Sequence, residues 1–400
     1  MDFLKHRFSV ERLMARQRTV YGLRCLFVFF VLAAVCLLKY EYNNLWTNAP
    51  VDFPKAKKSQ SPAESRPQPS ATNVTGGAPT ERVKLVVVTC KGLLNMTLTN
   101  IKSAVAFTTE PLDLLLFADD ENREPLRKAI SSWPESVLKR VGYKVSPVKF
   151  PERDTEKWQS LFKPCATQRL FLPSMLPDVD AVIYVDADVL FLSPIEELWK
   201  HFTAMNSLHL AALAPESEDY ATNWYRRFAR HPFYQPLGVN SGVMLMNLTR
   251  MRKFGWESRL GPLLHTYGRD ISWGDQDLLN ILFSTHRERL LLFSCQWNYR
   301  TDHCMYGAYC TAGPPAVIHG SRKAFISDSE PAFRELHRAM EQYELGESLE
   351  YSFVIPYKDV LGRSRKTLCG QEFLKQVVHW EAVARSVDIA ATKSRQSAES

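Results

Sequence analysis

The sequence has no Cys-x-x-Cys pair, no internal repeat of fixed period and, outside its first 24 residues, almost no net charge. The first absence argues against a paired-thiolate zinc site for Cys295, Cys304 and Cys310, and leaves disulfides or free thiols. The second excludes a stacked repeat array. The third bears on partners. Of a net charge of +7, the leader Met1–Arg24 holds +4, six Lys and Arg against Asp2 and Glu11. The rest of the chain keeps only +3, which argues against nucleic acid as the partner.

An apolar run of full bilayer length is also missing. Cys25–Leu38 offers fourteen residues without a polar side chain, against the ~20 of a typical span. Its flanks help, because Arg24 and Lys39 can snorkel and Tyr21 and Tyr40 suit the interface. A cleaved signal peptide and a buried core helix compete with a signal anchor. Six cations on one side and a long leader favour the anchor, with the amino terminus in the cytoplasm. The expected layout is a cytoplasmic tail (1–19), a type II transmembrane anchor (20–40) and a stem (41–82). A lumenal domain (83–385) and a flexible tail (386–400) follow. The stem is expected because six prolines, Pro50 to Pro79, alternate with polar residues and cannot bury enough apolar surface to order the chain. The localisation expected is an endoplasmic reticulum or Golgi membrane. In that lumen, Cys90, Cys165, Cys295, Cys304, Cys310 and Cys369 can form disulfides of unspecified pairing, and the sequons at Asn73, Asn95 and Asn247 are glycan candidates.

What the chain does have is an α/β pattern. Val83–Cys90, Leu112–Ala118, Tyr143–Phe150, Leu208–Ala214 and Gly242–Asn247 read as strands, and Asn95–Phe107 and Cys165–Leu172 as helices. Such alternation predicts a mostly parallel sheet flanked by helices. The apolar run Ala181–Val185 ends in Asp186-Ala187-Asp188. Strand alternation would point both carboxylates to one side. They repel unless a cation lies between them, and hard oxygen donors suit Mg2+ or Mn2+ bridging to phosphate. The competing reading is a strand closed by turn-forming residues. Further on, Asn240-Ser241-Gly242 allows a ligand close to the backbone or is an ordinary turn. Asp275-Gln276 opens an apolar helix as a cap, or as a sugar-facing pair. His319 ends the short run Val317–His319, and is a third metal ligand or a structural histidine. Gly320 would let phosphate approach, with Arg322 or Lys323 meeting its charge.

In this order, Thr89-Cys90, Arg169, Asp186-x-Asp188, Asn240-Ser241-Gly242, Asp275-Gln276 and His319-Gly320 resemble glycosyltransferase family 8, retaining enzymes of the GT-A, Rossmann-like fold. The blocks FKPCATQRLFLP, YVDADVLFLSP, NWYRRFARHPFY, GVNSGVMLMNLTRM, WGDQDLLNI and CQWNYRTDHC are similar to its glucoside xylosyltransferases. The resemblance implies transfer of xylose from UDP-xylose to O-linked glucose on EGF repeats of Notch-type proteins, through an α1,3 bond. It implies Mn2+, or Mg2+, held by Asp186, Asp188 and His319. Thr89 and Cys90 would lie near uridine, and Arg169, Asn240, Asp275 and Gln276 near the donor sugar. Ala187, Ser241, Gly242, Gly320 and Arg322 would complete the donor site. One departure is that many members carry a lysine six residues after the metal histidine, where this chain has Phe325. The parts played by Arg322 and Lys323 stay open on that account. The aromatic and cationic stretch Trp224–Tyr234 is either an acceptor contact or a packed helix.

Overall fold

The structure, a computed structural model, describes residues 82–399 except 153, 162 and 164. The expected cytoplasmic tail and anchor, all of the stem but its last residue, and the sequon at Asn73 lie outside the described residues. Among the described residues no helix is long and apolar enough to cross a membrane.

Among the described residues nine strands form: β1 (Val83–Thr89), β2 (Leu112–Ala118), β3 (Val141–Pro147), β4 (Ala181–Val185), β5 (Val189–Phe191), β6 (Ala211–Pro215), β7 (Val239–Asn247), β8 (Leu290–Leu292) and β9 (Val317–His319). The longer helices are α1 (Leu94–Phe107), α2 (Asp120–Ser131), α3 (Trp256–Tyr267), α4 (Asp275–Thr285), α5 (Pro331–Gln342) and α6 (Leu368–Glu399). In β1, Leu85 and Val87 enter one hydrophobic core and Val86 and Val88 another. Both faces are covered, so the run reads as continuously apolar rather than alternating.

Seven strands make one sheet in the order β3-β2-β1-β4-β7-β6-β8, and β5 pairs with β9 in a separate ladder. β1 runs parallel to β2 and β4, β2 to β3, and β6 to β8. β7 alone is reversed, antiparallel to both β4 and β6. The carboxyl ends of the parallel strands and the amino end of β7 therefore share one edge, the usual ligand edge of an open α/β sheet. A third core lies over α1 and β9, built from α5, α6 and the segment between them, with Phe333, Phe353, Tyr357 and Trp380 fully buried.

Several expected boundaries move, each for a local reason. The β6 run starts at Ala211 rather than Leu208, because Asn206 Oδ1 accepts from the Leu208 and His209 N–H groups and holds a turn there. Cys165–Leu172 is not one helix. A 3-10 turn, Ala166–Phe171, gives way to a short helix, Leu172–Met175, whose early proline, Pro173, suits a new start. The strand before the acidic pair stops at Val185, so Asp186 and Asp188 sit on the turn into β5 rather than on alternating strand positions. The tail expected from residue 386 is instead the end of α6, which runs to Glu399. Val387 is buried there, and Asp388 accepts hydrogen bonds from Ser348 Oγ (2.7 Å), Leu349 N (2.9 Å) and Glu350 N (3.1 Å).

The cysteines pair as Cys90–Cys165, Cys295–Cys310 and Cys304–Cys369. The first ties the end of β1 to the turn that carries Arg169, and the last ties the start of α6 to the loop ahead of β9. Because Asp388 satisfies two backbone N–H groups at once, Asp388→Ala is expected to lower the unfolding free energy by about 1–3 kcal/mol. Urea denaturation of the two proteins side by side measures this, and an unchanged midpoint would show that Asp388 does not anchor the last helix.

Candidate active site

The reversed strand brings the site together. Asp186 N–H donates to Gly242 O at 2.9 Å, so the acidic turn after β4 lies beside Asn240-Ser241-Gly242 at the start of β7. The third group arrives through the β5–β9 ladder. Val189 pairs with His319, and Gly320 N–H donates to Asp188 O at 2.7 Å. From α1, the buried Asn100 donates its Nδ2 to the carbonyls of Asp186 (2.8 Å) and Ala187 (3.4 Å) and fixes the turn from beneath.

His319 Nε2 stands 3.8 Å from Asp186 Oδ2 and 3.5 Å from Asp188 Oδ1, and one ligand atom from each residue lies within 4.8 Å of the others. Two ligands ~2.1 Å from one ion stand roughly 3–4 Å apart, so two carboxylates and an imidazole at this spacing suit one divalent cation. Burial alone would raise the Asp188 carboxyl. The His319 imidazole and Lys163 outweigh it and hold that carboxyl below its usual value. The imidazole packs against Gly242, where a Cβ would lie 2.1 Å from His319 Cε1.

On the other side of the acidic turn, Arg169 lies between two carboxylates. Its Nη2 donates to Asp186 Oδ1 at 2.7 Å, its Nε pairs with Asp275 Oδ2 at 2.6 Å, and Nη1 donates to Ser241 O. Its guanidinium lies over the Tyr184 ring, 4.5 Å from the centroid. Burial opposes the Arg169 charge, but Asp186 and Asp275 more than compensate and hold it firmly protonated. Asp275, at the first position of α4, is buried, and that pushes its carboxyl up to about 6 against the pull of Arg169. The neighbouring Gln276 accepts from Ser241 N–H through Oε1 (3.1 Å) and donates from Nε2 to Glu216 Oε2 (3.2 Å).

One cleft is thus lined by Arg169, Asp186, Asp188, Asn240, Ser241, Asp275, Gln276, His319 and Arg322. The remaining sequence candidates fall elsewhere or act otherwise. Cys90 lines a neighbouring hollow at the ends of β1–β3 with Lys91, Asp119, Asp120 and its disulfide partner Cys165. Thr89 is fully buried, and its Oγ1 has no hydrogen-bond partner among the described residues. Gly320 does not clear space for a ligand at its Cβ position, which faces the Phe325 ring at 2.4 Å. Arg322, at φ 59°, pairs with Asp302 (2.9 and 3.3 Å) at the cleft wall. Asn95 is exposed in the first turn of α1, whereas the Thr97 of its sequon is fully buried. Asn247 caps the helix after β7, accepting from Arg250 N–H at 2.9 Å.

Four residues escaped the sequence reading: Asn100, Glu216, Asn298 and Arg300. Glu216 carried a usable signal, since an apolar strand, Ala211–Pro215, ends in a carboxylate there as at Asp186. At the cleft mouth, Trp273 is 37% exposed and meets the Trp224 ring edge-on at 5.6 Å. Phe228, 53% exposed, continues this aromatic lip, while Tyr225 between them is buried. The stretch Trp224–Tyr234 is therefore part core and part surface.

Residues 85–319 match the model of Glycosyl transferase family 8. The chain is 43% identical to glucoside xylosyltransferase 2 of Xenopus laevis over 316 residues, 75% of each protein. It is 42% identical to glucoside xylosyltransferase 1 of Homo sapiens over 316 residues, 75% of this chain and 71% of that one. In fold it is similar to the crystal structure of galactosyltransferase LgtC in complex with donor and acceptor sugar analogs. That likeness has a TM-score of 0.52 at 18% identity and covers 67% of this chain and 99% of that one.

Because no side chain fits between residue 242 and the imidazole, Gly242→Ala is expected to displace His319 and weaken any divalent-cation binding by Asp186, Asp188 and His319 at least tenfold, while far-ultraviolet circular dichroism stays unchanged. Titration with Mn2+ followed by electron paramagnetic resonance reads the loss. Undiminished binding would show that His319 does not take part in holding the ion.

Proposed function

This chain belongs to glycosyl transferase family 8, in its glucoside xylosyltransferase branch, and on that premise we propose that it transfers xylose from UDP-xylose to O-linked glucose on EGF repeats. The bond formed is α1,3 with retention at the anomeric carbon. The observation that carries the reading is the convergence of Asp186, Asp188 and His319 with Asp275 and Gln276 on one cleft, in a chain 43% identical to a glucoside xylosyltransferase.

Asp186, Asp188 and His319 would hold Mn2+, which when bound supplies a Lewis acid for the negative charge that develops on departing UDP. Arg169 holds Asp186 aimed through a 2.7 Å hydrogen bond, and its own charge is fixed by two carboxylates. Gln276 is oriented by Ser241 N–H and Glu216, so its position beside the sugar is set before the donor enters. The Asp275 carboxylate is buried and paired with Arg169, which makes it a poor nucleophile for a double displacement. This supports attack from the face the leaving group vacates, with a donor phosphate oxygen accepting the acceptor proton. The hollow at Cys90, Asp119 and Asp120 is where the uracil and ribose would lie. The lip of Trp273, Trp224 and Phe228, with Arg226 and Arg227 outside it, suits the acceptor, because aromatic rings stack on sugar faces and arginines meet acidic protein surfaces. A type II anchor at 20–40 and a stem to residue 82 would place the domain in the lumen of the endoplasmic reticulum or Golgi. The sequons at Asn73, Asn95 and Asn247 are the glycan positions of that reading.

Two outcomes test the proposal. Protein truncated to Asn43–Ser400 should xylosylate a glucosylated EGF domain from UDP-xylose in a chelator-sensitive way. UDP-glucose and UDP-galactose should serve poorly, and Asp188→Asn should reduce turnover by at least a hundredfold with the fold intact. Equal use of all three donors would sink the donor assignment. Trp224→Ala should raise the acceptor KM roughly 3- to 10-fold, as expected for a lost aromatic contact of ~1 kcal/mol, and leave hydrolysis of the donor nearly unchanged. Parallel loss of both activities would assign Trp224 to the core instead.

A further inference from the structure

We propose that Asn298 sets the tautomer of His319, and that Asn240 and Glu216 lock Asn298 in the orientation this requires. The inference rests on the metal reading above and extends it to residues outside the ligand set. A neutral imidazole has one N–H and one lone pair. To bind a cation through Nε2, the nitrogen that faces Asp186 and Asp188, His319 must carry its proton on Nδ1. In water a neutral histidine side chain favours the opposite arrangement, so the protein has to impose this one.

The imposition can be traced from a donor of fixed identity. The backbone N–H of Gly242 can only donate, and it points at the Asn240 side chain at 3.0 Å. The Asn240 atom facing it is therefore Oδ1. The other end of that amide, Nδ2, lies 2.9 Å from Glu216 Oε2, an acceptor when ionised. Two independent contacts thus give Asn240 one orientation. Its Oδ1 also lies 2.8 Å from the Asn298 side chain, which must present Nδ2 there. That leaves Asn298 Oδ1 facing His319 Nδ1 at 3.0 Å. An amide oxygen cannot donate, so Nδ1 carries a hydrogen, and when the ring is neutral its lone pair falls on Nε2, the nitrogen that faces the acidic pair.

The inner bonds of the series are shielded from water. Asn298 is fully buried, and His319 and Asn240 are 5% and 6% exposed. Reversing any one amide would set donor against donor or acceptor against acceptor in buried space. Glu216, the far end, is itself held by Arg300 Nη1 at 3.0 Å and by Gln276 Nε2 at 3.2 Å. The same carboxylate therefore orients the amide beside the sugar position and, through two asparagines, the imidazole at the metal position.

The test compares the full chain with Asn298→Leu and Asn298→Asp. Nitrogen-15 spectra of histidine-labelled, metal-free protein identify the His319 tautomer, with the His319 signals assigned by their loss in His319→Gln. Mn2+ alone is then titrated into each protein and followed by electron paramagnetic resonance. At a pH where the ring is neutral, the wild-type chain should show the Nδ1–H form. Asn298→Leu, with no acceptor, should shift towards Nε2–H and lose Mn2+ affinity by about 10- to 100-fold, the usual scale for a partner of a ligating histidine. Asn298→Asp keeps an oxygen opposite Nδ1, and should keep the tautomer and hold Mn2+ within about threefold of wild type even if it melts earlier. Three results would overturn the proposal: Nε2–H in the metal-free wild type, an unchanged tautomer in Asn298→Leu, or equal Mn2+ losses in both variants that track their melting temperatures. An Nδ1–H wild type that fails to bind Mn2+ would uphold the relay and overturn the metal reading, whereas Mn2+ binding by an Nε2–H wild type would do the reverse.

Discussion

Carboxylates crowd the ligand edge of this sheet, and their mutual repulsion governs how the site is built. Asp186, Asp188, Glu216 and Asp275 all line one cleft. Two such charges 4 Å apart repel by about 4 kcal/mol at the effective dielectric of a protein surface. Arg169 separates Asp186 from Asp275, and Arg300 neutralises Glu216. Asp188 faces an imidazole instead of an arginine. The arginines stabilise the chain as it stands, and among the described residues Asp186, Asp188 and His319 form a group that could hold a divalent ion.

Chain direction makes this arrangement possible. With β7 reversed, its amino end delivers Asn240, Ser241 and Gly242 to the edge where β4 and β6 deliver Asp186 and Glu216. A parallel β7 would have put those residues at the opposite edge. The small β5–β9 ladder then carries His319 to the acidic turn, with Val189 opposite it as the register mark. The disulfide between Cys90 and Cys165 fastens the segment before Arg169 to the end of β1, so one face of the cleft is tied covalently to the sheet.

Much of the frame was legible in the chain. Val83–Thr89, Leu112–Ala118 and Ala181–Val185 are apolar runs buried on both faces, and such runs announce themselves. Asp186, Asp188, Asp275 and His319 could be named because each ends or opens an apolar element. Asn100, Asn298 and Arg300 could not, since each is a single polar residue whose meaning comes from a partner far along the chain, and no local spacing encodes that. The pairing of Cys304 with Cys369 was hidden for the same reason. The end of α6 was misread because residues 386–399 are mostly polar, and what holds them is Asp388 gripping backbone N–H groups 39 and 38 residues upstream. The reason for glycine at 320 was not legible, because a glycine in sequence shows that space is needed without showing which neighbour fills it. Here the neighbour is Phe325.

The absence of a side chain at Gly242 has an evolutionary corollary. The void above that backbone is filled by the ring of His319, so the two positions cannot drift independently. So long as 319 holds an aromatic ring, any heavier residue at 242 collides with it. If 319 were ever to shrink, the three closest contacts of a Cβ at 242, all from the His319 ring, would be removed. Epistasis of this kind links the histidine and the glycine as one heritable unit.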